Sequence, residues 1–214
     1  MKKFKIKDLG TAKQVLGLRI TKGDGTVSID QESYIDSLLE KFNMSECNSV
    51  QTPLDVNQKL NKTMCPKTEA ERELMMRVPF RQLMGSLQFL AQCTRPDICF
   101  AVSSVSSFCS NPGEVHWIAA KRILRYLKGS KTMKLVYSKK SGNQFEAFTD
   151  ADWGNDVDSR RSTSGYVFLQ NGGAVTWSSR RQPTVALSTT EAEYMALSAT
   201  TQEAIWWRGL WKNT

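Results

Sequence analysis

The residues able to carry chemistry are few in type and unevenly placed. The chain of 214 residues contains a single histidine, His116. That count excludes mechanisms built on several imidazoles and leaves the five cysteines without the histidine partners of a Cys/His zinc site. Those cysteines (Cys47, Cys65, Cys93, Cys99 and Cys109) show no C-x-x-C spacing. They read as small buried thiols of a reducing compartment. Ser188 and Thr189 have no histidine to activate them as nucleophiles, and His116, opening a helix, reads as a capping or surface residue. Charge is the stronger signal. Residues 1–140 hold 23 Lys/Arg against 13 Asp/Glu, whereas residues 141–214 hold 6 against 8. From Val115 to Phe145 there is no acid, while Lys121, Arg122, Arg125, Lys128, Lys131, Lys134, Lys139 and Lys140 accumulate. A basic first part beside an acidic-leaning second part suits a polyanion partner next to a carboxylate site.

Elements that position these residues follow from periodicity. Residues 14–20 and 26–29 read as strands around an Asp24-Gly25 hairpin turn. Asp30 is placed to cap a helix carrying Tyr34, Ile35, Leu38, Leu39 and Phe42 on one face. Residues 45–78 are polar and weakly patterned, as expected of an extended connector. Three helices follow, opening at Pro79, at Pro96 and at Glu114, the last ending at Gly129. On the third, Lys121, Arg125 and Lys128 share a flank apart from Ile118, Ile123, Leu124 and Leu127. Residues 133–138, 144–150, 164–170 and 173–178 read as strands, with turns at Ser141-Gly142-Asn143 and Asn171-Gly172-Gly173, and a long helix begins near Thr189. The pattern is α+β. No apolar run reaches the roughly 20 residues that span a bilayer, and the lysines near the start precede no apolar signal segment.

Seven strings then fall in order along the chain: KFKIKDLGTAKQVLGLRI, LLEKFNMSECNSVQTPL, FRQLMGSLQFLAQCTRPDICFAV, HWIAAKRILRYLKGS, FTDADWGND, RRSTSGYVF and VALSTTEAEYMAL. Together they resemble successive blocks of copia-type LTR retrotransposon Pol. The resemblance implies a C-terminal reverse transcriptase region over 1–140, a small hairpin with a helical thumb- or connection-like part. It also implies a partial RNase H-like domain over 141–214, with three antiparallel strands and the first helix. It places the polymerase's paired aspartates before the first residue, so this chain alone is not expected to polymerise.

For the RNase H part, the resemblance implies hydrolysis of RNA–DNA hybrids by two magnesium ions held by four carboxylates. The first maps to Asp150, with Asp152 as the alternative; the second maps to Glu193, with Glu191 drawn instead toward a Ser188-x-x-Glu191 capping box. The remaining two would lie beyond Thr214, so the catalytic set is expected to be incomplete and the first strand to form a sheet edge. The resemblance further implies hybrid phosphates as partners of Lys121, Arg125 and Lys128, and of Arg160 and Arg161. Other Pol domains are expected partners too. The expected location is intracellular, in a cytoplasmic virus-like particle or the nucleus, without membrane insertion. The alternative is a truncated or domesticated remnant that binds nucleic acid or intact Pol without chemistry.

Overall fold

A computed structural model describes residues 10–142 and 144–212. Most of the KDLG string and Asn143 of the expected turn lie outside the described residues. The architecture is α+β, with two small antiparallel sheets and six α-helices among the described residues.

The first sheet has strand order β1-β2-β3-β4. β1 (Gln14–Val15) and β2 (Leu18–Gly23) form a tight hairpin. The single strand expected over 14–20 is thus broken in the middle. Leu16 (φ 49°) and Gly17 (φ 81°) are both left-handed, which is the two-residue turn whose twist matches a hairpin. The Asp24-Gly25 turn leads to β3 (Thr26–Asp30), with Gly23 paired to Thr26. The fourth strand arrives from far along the chain: β4 (Leu135–Ser138) pairs antiparallel with β3, Thr26 opposite Ser138.

Between them lies the helical region. α1 (Glu32–Lys41) buries Ile35, Leu38 and Leu39, matching its expected stripe. Its N-cap is Gln31, while Asp30 accepts the Glu32 N–H at 3.2 Å and pairs with Arg19. The connector is less plain than its sequence suggests. It contains a 3-10 turn at Lys62–Met64 and a helix, α2 (Glu69–Met76), started by a full Thr68/Glu71 capping box. α2 buries none of its residues, so no apolar stripe announces it. α3 (Phe80–Cys93), α4 (Cys99–Ser106) and α5 (Glu114–Gly129) pack with α1 around one core that includes Leu83, Leu87, Leu90, Val102, Ile123 and Leu127. Each such side chain contributes about 1.5–3 kcal/mol by leaving water.

The second sheet is a meander of β5 (Phe145–Asp152), β6 (Thr163–Gln170) and β7 (Gly173–Arg181), in that spatial order, followed by α6 (Thr189–Lys212). It lies between two layers. On one face α6 sets Ala192, Ala196 and Thr200 against the strands, small residues that let the helix approach closely. On the other face Trp177 donates its indole N–H to the Ala91 carbonyl of α3 at 2.7 Å. β5 is an edge strand of this sheet.

Candidate carboxylate site and nucleic-acid interface

Strand alternation decides where the acids point. Thr149 meets α6, its hydroxyl 2.8 Å from that of Thr200. Phe145 meets it too, with ring centroids 5.7 Å from Trp207 and 4.3 Å from Trp211. Phe148, Asp150 and Asp152 therefore face the other way, toward the helical region. Asp150 accepts the Ala151 N–H at 2.9 Å and lines an open cleft of about 440 Å3 with Phe148, Phe100, Pro96 and Trp177. Asp152 lines a neighbouring cleft with Arg181.

Glu193 sits just beyond the first turn of α6, exposed. Glu191 beside it is committed to the cap: its carboxylate accepts the Leu187 N–H at 2.6 Å, while Ser188 Oγ accepts the Glu191 N–H at 3.1 Å. Glu193 is consequently the glutamate left without a structural task. The structure does not bring Asp150 and Glu193 into one cleft, since no α6 residue lines the cavity that Asp150 faces. Among the described residues no three His, Cys, Asp or Glu side chains converge on a metal-sized space. These two carboxylates, on different layers and without a third, do not by themselves fit a pair of magnesium ions.

The basic flank of α5 is held to the connector. Arg125 Nε donates to the Asn48 carbonyl at 2.7 Å, and Lys128 Nζ to the Cys47 carbonyl at 2.8 Å. Arg122 donates to Thr52 Oγ1 at 3.0 Å and lies 3.8 Å from Asp55. Lys121 Nζ stands over the Trp117 ring at 5.6 Å. These contacts retain the charges but fix where they stand. Arg160 and Arg161 belong to the β5–β6 loop. Arg160 is exposed with φ 57°, its N–H donating to the Asp156 carbonyl at 2.7 Å; the Arg161 carbonyl accepts the Asp156 N–H at 3.2 Å. Arg181 forms an ion pair with Asp156. Burial works to raise that carboxyl, but hydrogen bonds from Ser159 and Arg181 bring it below the ordinary range.

His116 is fully buried and caps α5: its Nδ1 accepts the Gly113 N–H at 2.9 Å, and its ring stacks on Phe108 with centroids 3.9 Å apart. Burial holds its pKa below 6.5, against smaller upward pulls from the Asn61 backbone and Asp158. Burial likewise pushes the Cys99 thiol up to about 11, which makes it a poor nucleophile. A buried cation escaped the sequence reading. Arg95, 2% exposed, holds Asp97 in a two-pronged grip at 2.9 and 2.7 Å and also reaches both oxygens of Ser130. Its sequence signal is only a charge beside a proline.

Residues 1–56 match the family described as "Reverse transcriptase (RNA-dependent DNA polymerase)". The chain is 46% identical over 207 residues to the Retrovirus-related Pol polyprotein from transposon TNT 1-94 of Nicotiana tabacum, which covers 96% of this chain and 16% of that protein. It is 36% identical over 204 residues to the Retrovirus-related Pol polyprotein from transposon RE1 of Arabidopsis thaliana, 95% of this chain and 13% of that protein. The Secreted RxLR effector protein 161 of Plasmopara viticola is 50% identical over 132 residues, 62% of this chain and 93% of its own. No solved structure matches the chain.

Proposed function

This chain belongs to the family of copia-type retrotransposon Pol polyproteins, and on that premise we propose that it is a segment of reverse transcriptase/RNase H that serves RNA–DNA hybrids within a longer polypeptide and does not turn over alone. The observation carrying the reading is similarity to a Pol polyprotein that runs through 96% of the chain. The order of a three-strand meander followed by a helix supports an RNase H-like beginning, with Asp150 on the first strand and Glu193 near the start of the helix. Magnesium would require further carboxylates from outside these residues and a path that brings Glu193 to Asp150. The basic residues of α5 and of the β5–β6 loop would contribute sequence-independent attraction for phosphates. Hybrid nucleic acid and other Pol domains are the partners this reading names. No described helix is long and apolar enough to cross a membrane.

A ribonuclease assay tests the reading, using a labelled RNA–DNA hybrid with magnesium. The chain alone should leave the hybrid intact, whereas a Pol polypeptide extending past Thr214 should cleave it and lose cleavage on Asp150→Asn or Glu193→Gln. Cleavage by the extended polypeptide that survives both substitutions would overturn the assignment of these carboxylates.

A second reading, a non-catalytic remnant, is favoured by one finding: a relative exists that is matched over 93% of its own length, so comparable segments occur as separate proteins. Salt-dependent hybrid binding, with no cleavage even in the extended polypeptide, would select it.

A further inference from the structure

The connector leaves an opening where it lies along α5. The cavity measures about 610 Å3, and its floor includes the apolar side chains of Ile118 and Met64. Its lining also carries Arg122, Arg125 and Lys59 against one acid, Asp55. Three cations thus face one carboxylate across a partly apolar space. Several donors there are unused. Arg122 Nε is buried without a hydrogen-bond partner. Arg125 commits only its Nε, to Asn48, and neither its terminal nitrogens nor Lys59 Nζ makes a side-chain hydrogen bond among the described residues. A buried guanidinium N–H without an acceptor is unfavourable, and an entering anion would remove that penalty. The terminal nitrogens of Arg125, the Arg122 guanidinium and the Lys59 ammonium together suit the oxygens of a phosphate. The apolar floor suits the sugar or base attached to it.

We propose that this cavity is a phosphate site that seats one nucleotide of a nucleic-acid strand, with Arg122, Arg125 and Lys59 around the phosphate and Ile118 and Met64 beneath its sugar or base. The inference rests on the reading that the chain serves nucleic acid, and it centres the contact on Arg122, Arg125 and Lys59 rather than on Lys121 and Lys128. It also gives the clamp between connector and helix a purpose, because the same arginines that hold the connector define the cavity's walls.

The test is a salt titration of the full chain's binding to a fluorescent oligonucleotide, as single strand and as RNA–DNA hybrid. Variants are Lys59→Gln, Arg122→Gln and, as a remote control, Lys22→Gln. Removing one phosphate contact should lower the slope of log affinity against log salt by roughly 0.7–0.9. Lys59→Gln and Arg122→Gln should each show this, with about a tenfold weaker affinity at low salt, and Lys22→Gln should not. Arg122 also anchors the connector, so its variant is checked by thermal melting; if it unfolds, Lys59→Gln, whose side chain makes no bond to the fold, decides the matter. Binding by the wild type with an unchanged slope in the folded variants overturns the site while leaving the nucleic-acid reading intact. No binding by the wild type overturns both. Binding of millimolar inorganic phosphate by calorimetry, without any oligonucleotide binding, would mark a free-anion site and overturn the nucleotide assignment.

Discussion

At the scale of single residues, the charges most firmly placed in this chain are not those that its composition advertises. Arg95 is nearly inaccessible, yet every hydrogen bond found for it goes to a defined partner: Asp97, Ser130 and, more weakly, the Met133 sulfur. Burial alone would raise the Asp97 carboxyl; Arg95, helped by the Tyr126 hydroxyl, brings it below the ordinary range instead. Arg95→Ala should therefore destabilise the fold by about 3–5 kcal/mol, because it leaves a half-buried carboxylate and a serine carbonyl without their partner. Urea denaturation measures this, and Arg95→Lys should recover only part of the loss, since an ammonium cannot reproduce the fork. His116 sets a pH dependence. Its folded pKa lies below 6.5, so the neutral ring's contribution is complete above that value and is lost as pH falls through the folded value. Protonation would also place a proton on Nδ1, where the Gly113 N–H now points. The melting temperature should decline as pH falls below about 7, and His116→Gln should flatten that decline. The charged group that tempers the effect is Asp158, which attracts the imidazolium.

At the scale of elements, the stripes of α1, α3 and α5 were legible because a one-sided apolar face is written directly into spacing: Ile35, Leu38 and Leu39, then Leu83, Leu87 and Leu90, then Ile123, Leu124 and Leu127 all reach the core. α2 was not legible by that route, because it has no buried face; its only signal was the Thr68-x-x-Glu71 cap. The break at Leu16-Gly17 was hidden by two apolar-looking halves that read as one strand. Partnership between strands was beyond reach as well. Nothing local in Leu135–Ser138 states that it completes the first sheet rather than opening the second. Among the candidate site residues, the cap that occupies Glu191 could be read from sequence, whereas the layer that Asp150 faces depends on which side α6 takes. Where the two sheets meet, Gly173 is pressed against β4: a Cβ there would lie 2.7 Å from the Tyr137 ring and from the Val136 carbonyl oxygen. Gly173→Val should cost about 1–3 kcal/mol through overpacking and should weaken the hydrogen bond from the Tyr137 hydroxyl to the Ala174 carbonyl. Chemical denaturation gives the cost, and tyrosine fluorescence reports the joint.

At the scale of the whole molecule, the two parts are tied by polar contacts as well as by packing. Trp177 reaches the Ala91 carbonyl, Tyr137 reaches Ala174, and the Lys62 N–H is received by both oxygens of Asp158 at 3.1 and 2.9 Å. Cooperative unfolding should result, with tryptophan fluorescence and far-ultraviolet circular dichroism tracing one coincident transition. Trp177→Phe should lower stability by about 0.5–1.5 kcal/mol for the lost indole hydrogen bond and, if the joint is the coupling, should begin to separate the two traces. The pairing of β3 with β4 has a further meaning for how the protein comes into being. Synthesis is directional, and β3 leaves the ribosome well before Leu135–Ser138 has been translated, with the entire helical region made in between. The flank of β3 destined for β4 must wait in the nascent chain, unsatisfied, until that late tetrapeptide emerges. Arrested nascent chains stopped short of Leu135 should thus be bound by holding chaperones, and release should coincide with the arrival of β4 rather than with completion of the helices.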